Sequence, residues 1–293
     1  MPELLTTGEA ADYLRLSERK LYELVANGAV PCSKATGRWL FPKISLDQWV
    51  MAGLIGAPRL VQPAPPIVGG SHDPLLEWAL RESGSGLATL PEGSEMGLHR
   101  LSRGEVAAAA IHLHRADGDE RTNVETVAHT AGLHDAVVIA FARREQGLLV
   151  ASGNPLKMIG IASVATSKAR MALRPQGAGA QLLLLALLGQ AGLALDAIRT
   201  VKPPCPTGPD IAQAIRSGRA DCGIATRSVA RAAGLDFLPL AWEAFDLVLR
   251  QRTYFLPGPQ ALFGFMRGAV FADRAAELGG YDVAAAGRIC HVN

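Results

Sequence analysis

Eleven residues, Gly56 to Pro66, read GAPRLVQPAPP and include four prolines. Proline lacks an amide hydrogen and fixes its own φ, so no continuous helix crosses this stretch and the segment acts as a stiff spacer. The chain is therefore expected to fold as two pieces: residues 1–55, the linker at 56–66, and residues 67–293. A length of 293 residues suits two hydrophobic cores better than one.

Composition supplies bounds. Apolar residues make up 49% and charged residues 19%, as in globular proteins. Lys and Arg total 29 against 27 acidic residues, so overall charge argues for neither a nucleic acid nor a membrane surface. The opening MPELLTTGEAADYL carries early acidic residues and no long apolar run, unlike a signal peptide. The richest apolar stretch, Leu182 to Leu195, is too short for a membrane span and contains Gly189, Gln190 and Gly192. It reads as a buried helix. Cys32, Cys205, Cys222 and Cys290 lie far apart with no CxxC pair. A reduced, cytoplasmic protein with no metal, no cofactor and no membrane partner is expected.

The first piece, LTTGEAADYLRLSERKLYELVANGAVP, has the pattern of two short helices joined by a tight turn. Thr7 is the expected N-cap of the first, with Ala10, Ala11 and Leu14 on one apolar face. Ser17 caps the second, whose Leu21, Leu24 and Val25 recur at core spacing until Asn27-Gly28 ends it. Arg19, Lys20 and Tyr22 then lie near the start of that helix, where a recognition helix carries its donors. Thr36-Gly37 marks a hairpin, with Lys34, Arg38 and Lys43 on or beside it, and Ser45 opens a last helix. Residues 1–55 hold six basic and six acidic side chains, so this piece is polarised rather than basic.

These residues, followed by GRWLFPKISLDQWV, resemble the excisionase-type winged helix, a relative of the MerR DNA-binding domain. The resemblance covers residues 3–51 and implies double-stranded DNA as a partner. It puts the Ser17–Asn27 helix in the major groove and the hairpin on the backbone. So few basic residues imply weak binding by one copy, hence a homodimer on paired half-sites.

Beyond the linker, short β-like runs alternate with longer helical patterns, which indicates α/β layers with a largely parallel sheet. Several strand ends break into polar or glycine residues just before a helix. Ser71 and His72, Ser94, His112 and His114, Asn154, and Arg174, Gln176, Gly177 and Gly179 all stand at such junctions. Free amides at helix N-termini make these places suited to anions. Ser71-His72-Asp73 is a triad in name only, because contiguous residues cannot converge on one reacting atom. His112-x-His114 lacks a further ligand that would complete a metal site.

From HDPLL through RREQGLLVASGNP, RPQGAG and SGRADCGIATRSVA to LGGYD, this piece is similar to the type II periplasmic-binding-protein fold. More narrowly, it resembles the molybdate-binding-protein-like domain that follows excisionase-type winged helices. The resemblance implies a two-lobed sensor, with lobe 1 at about residues 67–143 and 245–293 and lobe 2 at about 144–244. Arg143 to Gly147 would cross from lobe 1 to lobe 2, and Pro239 to Leu249 would return. Its cleft would use Ser71, His72, Ser94, His112, Asn154, Arg174, Gln176, Gly177, Gly179, Asp221 and Thr226. Molybdate or tungstate is the effector the resemblance suggests. Where relatives carry a GSGTR-like motif, however, this chain reads Gly177-Ala178-Gly179-Ala180-Gln181, without the hydroxyls or the arginine. The resulting expectation is a ligand-responsive transcriptional regulator with no catalytic residues. A ligand-free constitutive DNA-binding regulator, an architectural recombination factor and a molybdopterin-related enzyme are the alternatives.

Overall fold

Thr6 rather than Thr7 opens the first helix. Its amide and hydroxyl both donate to the Glu9 carboxylate at 2.8 Å, so the capping box holds the chain one residue earlier than Thr7 suggests. The computed structural model describes residues 4–53, 63–113 and 121–293; Gly56 to Gln62 of the linker, and His114, lie outside the described residues. The chain divides into two units, residues 1–62 and 63–293.

In the first unit, β1 (Leu4–Leu5), α1 (Thr7–Tyr13), α2 (Glu18–Ala26), β2 (Phe41–Pro42) and α3 (Lys43–Ala52) follow in order. The Ser17 hydroxyl accepts the Lys20 amide at 3.2 Å and caps α2. The hairpin is one bridge long, with Ser33 and Leu40 exchanging backbone hydrogen bonds at 2.8 Å. Because β2 pairs with β1 up to Pro42, α3 starts at once on Lys43, and Ser45 lies inside the helix rather than capping it. Ala10, Ala11, Leu21, Val30, Phe41 and Leu46 form the core.

The second unit is built on two 15-residue strands. Through lobe 1 run β3 (Ile67–Gly70), α4 (Pro74–Glu82), β4 (Ala88–Pro91), α5 (Ser94–Ser102), β5 (Ala108–Ile111) and α6 (Thr122–His129). The long β6 (Ala136–Val150) then leads to α7 (Ile161–Thr166), β7 (Arg170–Ala172), α8 (Gly179–Gln190), β8 (Arg199–Val201), α9 (Gly208–Arg216), β9 (Cys222–Thr226) and α10 (Arg227–Ala233). The equally long β10 (Asp236–Arg250) returns to α11 (Gln251–Tyr254), α12 (Pro257–Met266), α13 (Ala269–Leu278), β11 (Tyr281–Asp282) and β12 (Ile289–Val292).

β6 and β10 pair antiparallel from Ala136–Arg250 to Val150–Asp236. At roughly 3.4 Å per residue, each spans about 50 Å, enough to belong to both lobes. The sheet order is β4-β3-β5-β10-β6-β9-β7-β8, with β11 and β12 on β6. Each lobe thus contributes a parallel trio, β4-β3-β5 or β9-β7-β8, and the shared pair is antiparallel to both. The expected largely parallel sheet is therefore a mixed one. Of the residues in β6, Arg143 alone is exposed, which explains why AVVIAFA and GLLV read as unbroken apolar runs. Separate cores cover the two faces in each lobe, around Phe141, Phe245 and Phe263 and around Val106 and Val138 in the first. In the second they lie around Leu148 and Leu184 and around Leu149 and Ile211. α8 carries the apolar run, burying Leu183, Leu184 and Leu188. Among the described residues no helix is long and apolar enough to cross a membrane.

One buried acid makes stability depend on pH. Asp246 on β10 accepts the Asn123 amide at 2.8 Å, and that asparagine also binds the Leu113 amide and the Ala244 carbonyl. Burial pushes the Asp246 carboxyl up from 3.8 to about 6, against the lowering effect of the Asn123 bond. A folded-state value above the unfolded one gives stability that is present below pH about 4 and lost as pH rises through about 6. The full shift would correspond to roughly 3 kcal/mol, and relaxation around the ionised group cuts this to about 1–2 kcal/mol. Asp246→Asn is expected to remove that loss. Urea unfolding at pH 4 and pH 7.5 would show a flatter pH profile in the variant, whereas parallel profiles would contradict the assignment.

Candidate functional site

The polar residues of β6 and β10 fall where the two strands pass between the lobes. Arg144 is 1% exposed, yet it carries a charge between two carboxylates. Its Nη1 lies 2.8 Å from Asp73 Oδ2 and its Nε 2.6 Å from Glu243 Oε1, while its guanidinium stacks 4.0 Å above the Phe245 ring. Burial opposes the Arg144 charge, but Glu243 and Asp73 together raise its pKa above the ordinary arginine value. His112 Nδ1 is 2.9 Å from Glu243 Oε1, and the Gln146 amide donates to the same oxygen at 2.9 Å. Asp73 also caps α4 through the Leu75 and Leu76 amides and accepts the Tyr281 hydroxyl at 3.0 Å. From Tyr281 the network continues through Ser228 to Thr226, in lobe 2.

A small cavity of ≈ 20 Å³ opens beside this network, with Ser71, His72, His112, Arg144, Gln146, Arg174 and Thr226 among its lining residues. Arg174 differs from Arg144 in its company. Its Nε and Nη2 donate to the carbonyls of Cys205 and Pro206 at 2.9 and 2.6 Å, and among the described residues it makes no ion pair. Burial, reinforced by the nearby Arg144 charge, pushes its pKa down to about 10. Arg174 lines the cavity, and the Asp210 carboxylate offsets only part of that lowering. On the other side, Gln146 is 2% exposed and its Oε1 has no hydrogen-bond partner among the described residues. A buried acceptor without a donor is uncommon and costly.

The residues marked out by the sequence scatter more than expected. Ser71, His72, His112, Arg174 and Thr226 do line the cavity. Ser94 stands behind it, joining the Ser71 hydroxyl at 2.8 Å to the backbone of His112 at 3.1 Å. Gly177 and Gly179 are covered: a Cβ on Gly177 would meet the Glu95 carboxylate at 2.5 Å, and one on Gly179 would meet the His112 carbonyl at 2.0 Å. Both glycines therefore pack against lobe 1, and the Gly177 carbonyl accepts the Glu95 amide at 3.4 Å. Gln176 is exposed and lines no part of the cavity. Asn154 closes its own turn through both Met158 backbone groups, and Asp221 holds Arg170 at 2.7 Å, both away from the cavity. Gln181 accepts the Arg174 backbone amide at 3.2 Å, tying the start of α8 to the loop that carries the arginine. The network residues Arg144, Gln146 and Glu243 were not singled out as ligand residues. A signal existed, since ARREQG interrupts an otherwise apolar 15-residue strand, and charges can be buried there only if paired.

In the first unit, a concave groove of ≈ 500 Å³ is lined by Thr7, Tyr22, Lys34, Arg38 and Trp39 among others. Lys34 Nζ sits 5.1 Å from the centre of the Trp39 ring, a contact across the hairpin itself. Arg19 and Lys20 stand on the exposed side of α2, 3.8 and 3.0 Å from Glu23. Lys43 Nζ lies 5.4 Å above the Tyr13 ring, at the start of α3. The Ser17 hydroxyl serves its own helix.

Comparison with known proteins assigns both units. A family model described as a helix-turn-helix domain matches residues 4–53, and one described as a PBP superfamily domain matches residues 77–267. Uncharacterized protein YvgK of Bacillus subtilis (strain 168) is 23% identical over 300 residues, covering 97% of this chain and 96% of that one. Among solved structures, a candidate phosphate ABC transporter substrate-binding protein of Clostridium perfringens, with bound phosphate, aligns with a TM-score of 0.54. It is 10% identical and covers 72% of this chain and 97% of that one. The tungstate ABC transporter structure from Geobacter sulfurreducens aligns with a TM-score of 0.52 at 14% identity, covering 72% and 97%. At such identities the likeness is one of fold.

Proposed function

The chain belongs to the PBP superfamily, and from that membership joined to its N-terminal helix-turn-helix domain we propose that it is a transcriptional regulator whose DNA binding responds to a small anion held between the lobes. The observation that carries the reading is Arg174, a half-buried cation lining the cavity, whose hydrogen bonds go to two carbonyls and which makes no ion pair among the described residues. An anion arriving there restores the missing charge balance, and each charge-assisted hydrogen bond adds about 1.5–3 kcal/mol.

The first unit is read as a winged helix of the excisionase type. α2 enters the major groove, Arg19, Lys20 and Tyr22 face the DNA, and Lys34, Arg38 and Lys43 hold its phosphates. Two copies acting as a homodimer compensate for the few basic residues. Phosphate and tungstate are the ions named for the two aligned structures, and molybdate and tungstate are those suggested by the sequence resemblance, so all three belong in the first panel. Catalysis has no part in this reading: among the described residues of the cavity, the Ser71 hydroxyl pairs with the Ser94 hydroxyl rather than with a base.

The test couples both halves. Selection of double-stranded DNA from a random pool by the full chain gives a binding fragment, whose affinity is then read by fluorescence anisotropy with and without each anion. Arg174→Ala is expected to bind that fragment as tightly as the native chain while losing the anion's effect and its thermal stabilisation. At 100 times its dissociation constant an anion stabilises the native protein by about 2.7 kcal/mol, readily seen in a melt. Failure to select any DNA sequence, or an anion effect that survives Arg174→Ala, would contradict the proposal.

A further inference from the structure

The polar cavity has a larger neighbour. His72, Pro74 and Val229 line both the ≈ 20 Å³ chamber and a second space of ≈ 340 Å³. This outer space lies between α4 and α13 of lobe 1 and α9 and α10 of lobe 2, so it is the mouth of the same cleft. Ala212, Ala233 and Leu278 give it apolar walls, while Glu77, Gln213 and Arg216 stand on its rim.

The two volumes imply different occupants. A cavity needs about 10–15 Å³ to hold one water, so the inner chamber takes only a small polar head group. The mouth, by contrast, reaches the lower end of the roughly 300–1,000 Å³ range of small-molecule sites. A bare tetrahedral oxyanion leaves the mouth unused. Gln146 adds a second requirement, because its buried Oε1 has no donor among the described residues. A fully ionised oxyanion has no donor to offer, and would set its own oxygens against that acceptor.

We propose that the ligand of this cleft is an organic anion with an apolar body. Its head group, in the inner chamber, gives an anionic oxygen to Arg174 and an O–H to Gln146. Its body passes His72, Pro74 and Val229 into the mouth. Monoprotonated alkylphosphonates and 2-hydroxycarboxylates share this chemistry; inorganic molybdate and tungstate do not. The inference rests on the anion site proposed above and narrows what that site accepts.

The experiment is isothermal titration calorimetry of the full chain with two homologous series, n-alkylphosphonates and 2-hydroxyalkanoates up to eight carbons, beside inorganic phosphate and molybdate. In one series, affinity is expected to rise about fourfold per methylene until the mouth is filled. The heat-capacity change should grow more negative along the same series, as burial of apolar surface requires. The preferred series also identifies the head group. Ala232→Trp, placed on the exposed rim of the mouth, is expected to flatten the rise by bringing long members down to the affinity of short ones. Affinity independent of chain length in both series, no binding by either, or tightest binding of molybdate would overturn the inference. If a flat series is bound by the native chain but lost in Arg174→Ala, the anion site stands and only its apolar extension falls. If binding persists in Arg174→Ala, both fall.

Discussion

Arg144→Met is expected to destabilise the second unit by about 3–5 kcal/mol, because it leaves two carboxylates buried with their shared cation gone. Asp73 and Glu243 are 2% and 4% exposed, so water cannot replace the guanidinium. Methionine nearly matches the length and keeps the contact with Phe245, which separates the electrostatic loss from a packing loss. Adding Glu243→Gln to Arg144→Met should recover part of the stability, since it removes one of the two stranded charges. Asp73 is left in place because its other oxygen caps α4. Equilibrium denaturation followed through Trp78 and Trp242 reports on this unit, and two units need not unfold together. A loss below about 1 kcal/mol for Arg144→Met, or no recovery in the double variant, would mean that the network contributes little.

That network also shows what the sequence could and could not disclose. The helix-turn-helix was legible almost to the residue, since caps, core spacing and the Asn27-Gly28 stop are local signals. It failed by one residue at Thr7, where Glu9 reaches back to Thr6, and at Ser45, where the end of β2 leaves no room for a separate cap. In the second unit the alternation of strands and helices was legible, but the antiparallel sense of the long pair β6 and β10 was not. Its sense depends on which strand lies beside which, a long-range choice that no local pattern records. Cavity residues at the ends of short strands, such as Ser71, His112 and Arg174, were visible because strand-to-helix junctions advertise themselves. Asn154 and Asp221 carry the same junction signal, but Asn154 closes its own turn and Asp221 binds the Arg170 backbone and side chain. A polar residue near a strand end therefore marks a turn at least as often as a ligand, and the chain decides between them by what else is within reach.

Gly179→Ala is expected to lower the affinity for every anion that the native protein binds by about 100-fold or more, without touching a ligand. Gly179 is the first residue of α8, where alanine is an ordinary helix former. The obstacle lies across the cleft: an added Cβ would stand 2.0 Å from the His112 carbonyl oxygen and 2.4 Å from its imidazole. His112 follows β5 of lobe 1 and is held there by Ser94, so the carbonyl cannot simply step aside. The lobes must separate instead, by flexing β6 and β10, and Glu95 then loses its backbone bond to Gly177. Closure that costs an additional 2.7 kcal/mol lowers the population competent to hold a ligand by the same 100-fold. Hydrogen exchange offers the check, with protection expected to fall in segments 93–97 and 177–182 and to persist along the middle of β6 and β10. Equal loss of protection in the two long strands would mean that the variant unfolds the unit rather than opening it. Unchanged protection together with unchanged affinity would mean that the contact between Gly179 and His112 has no part in closing the cleft.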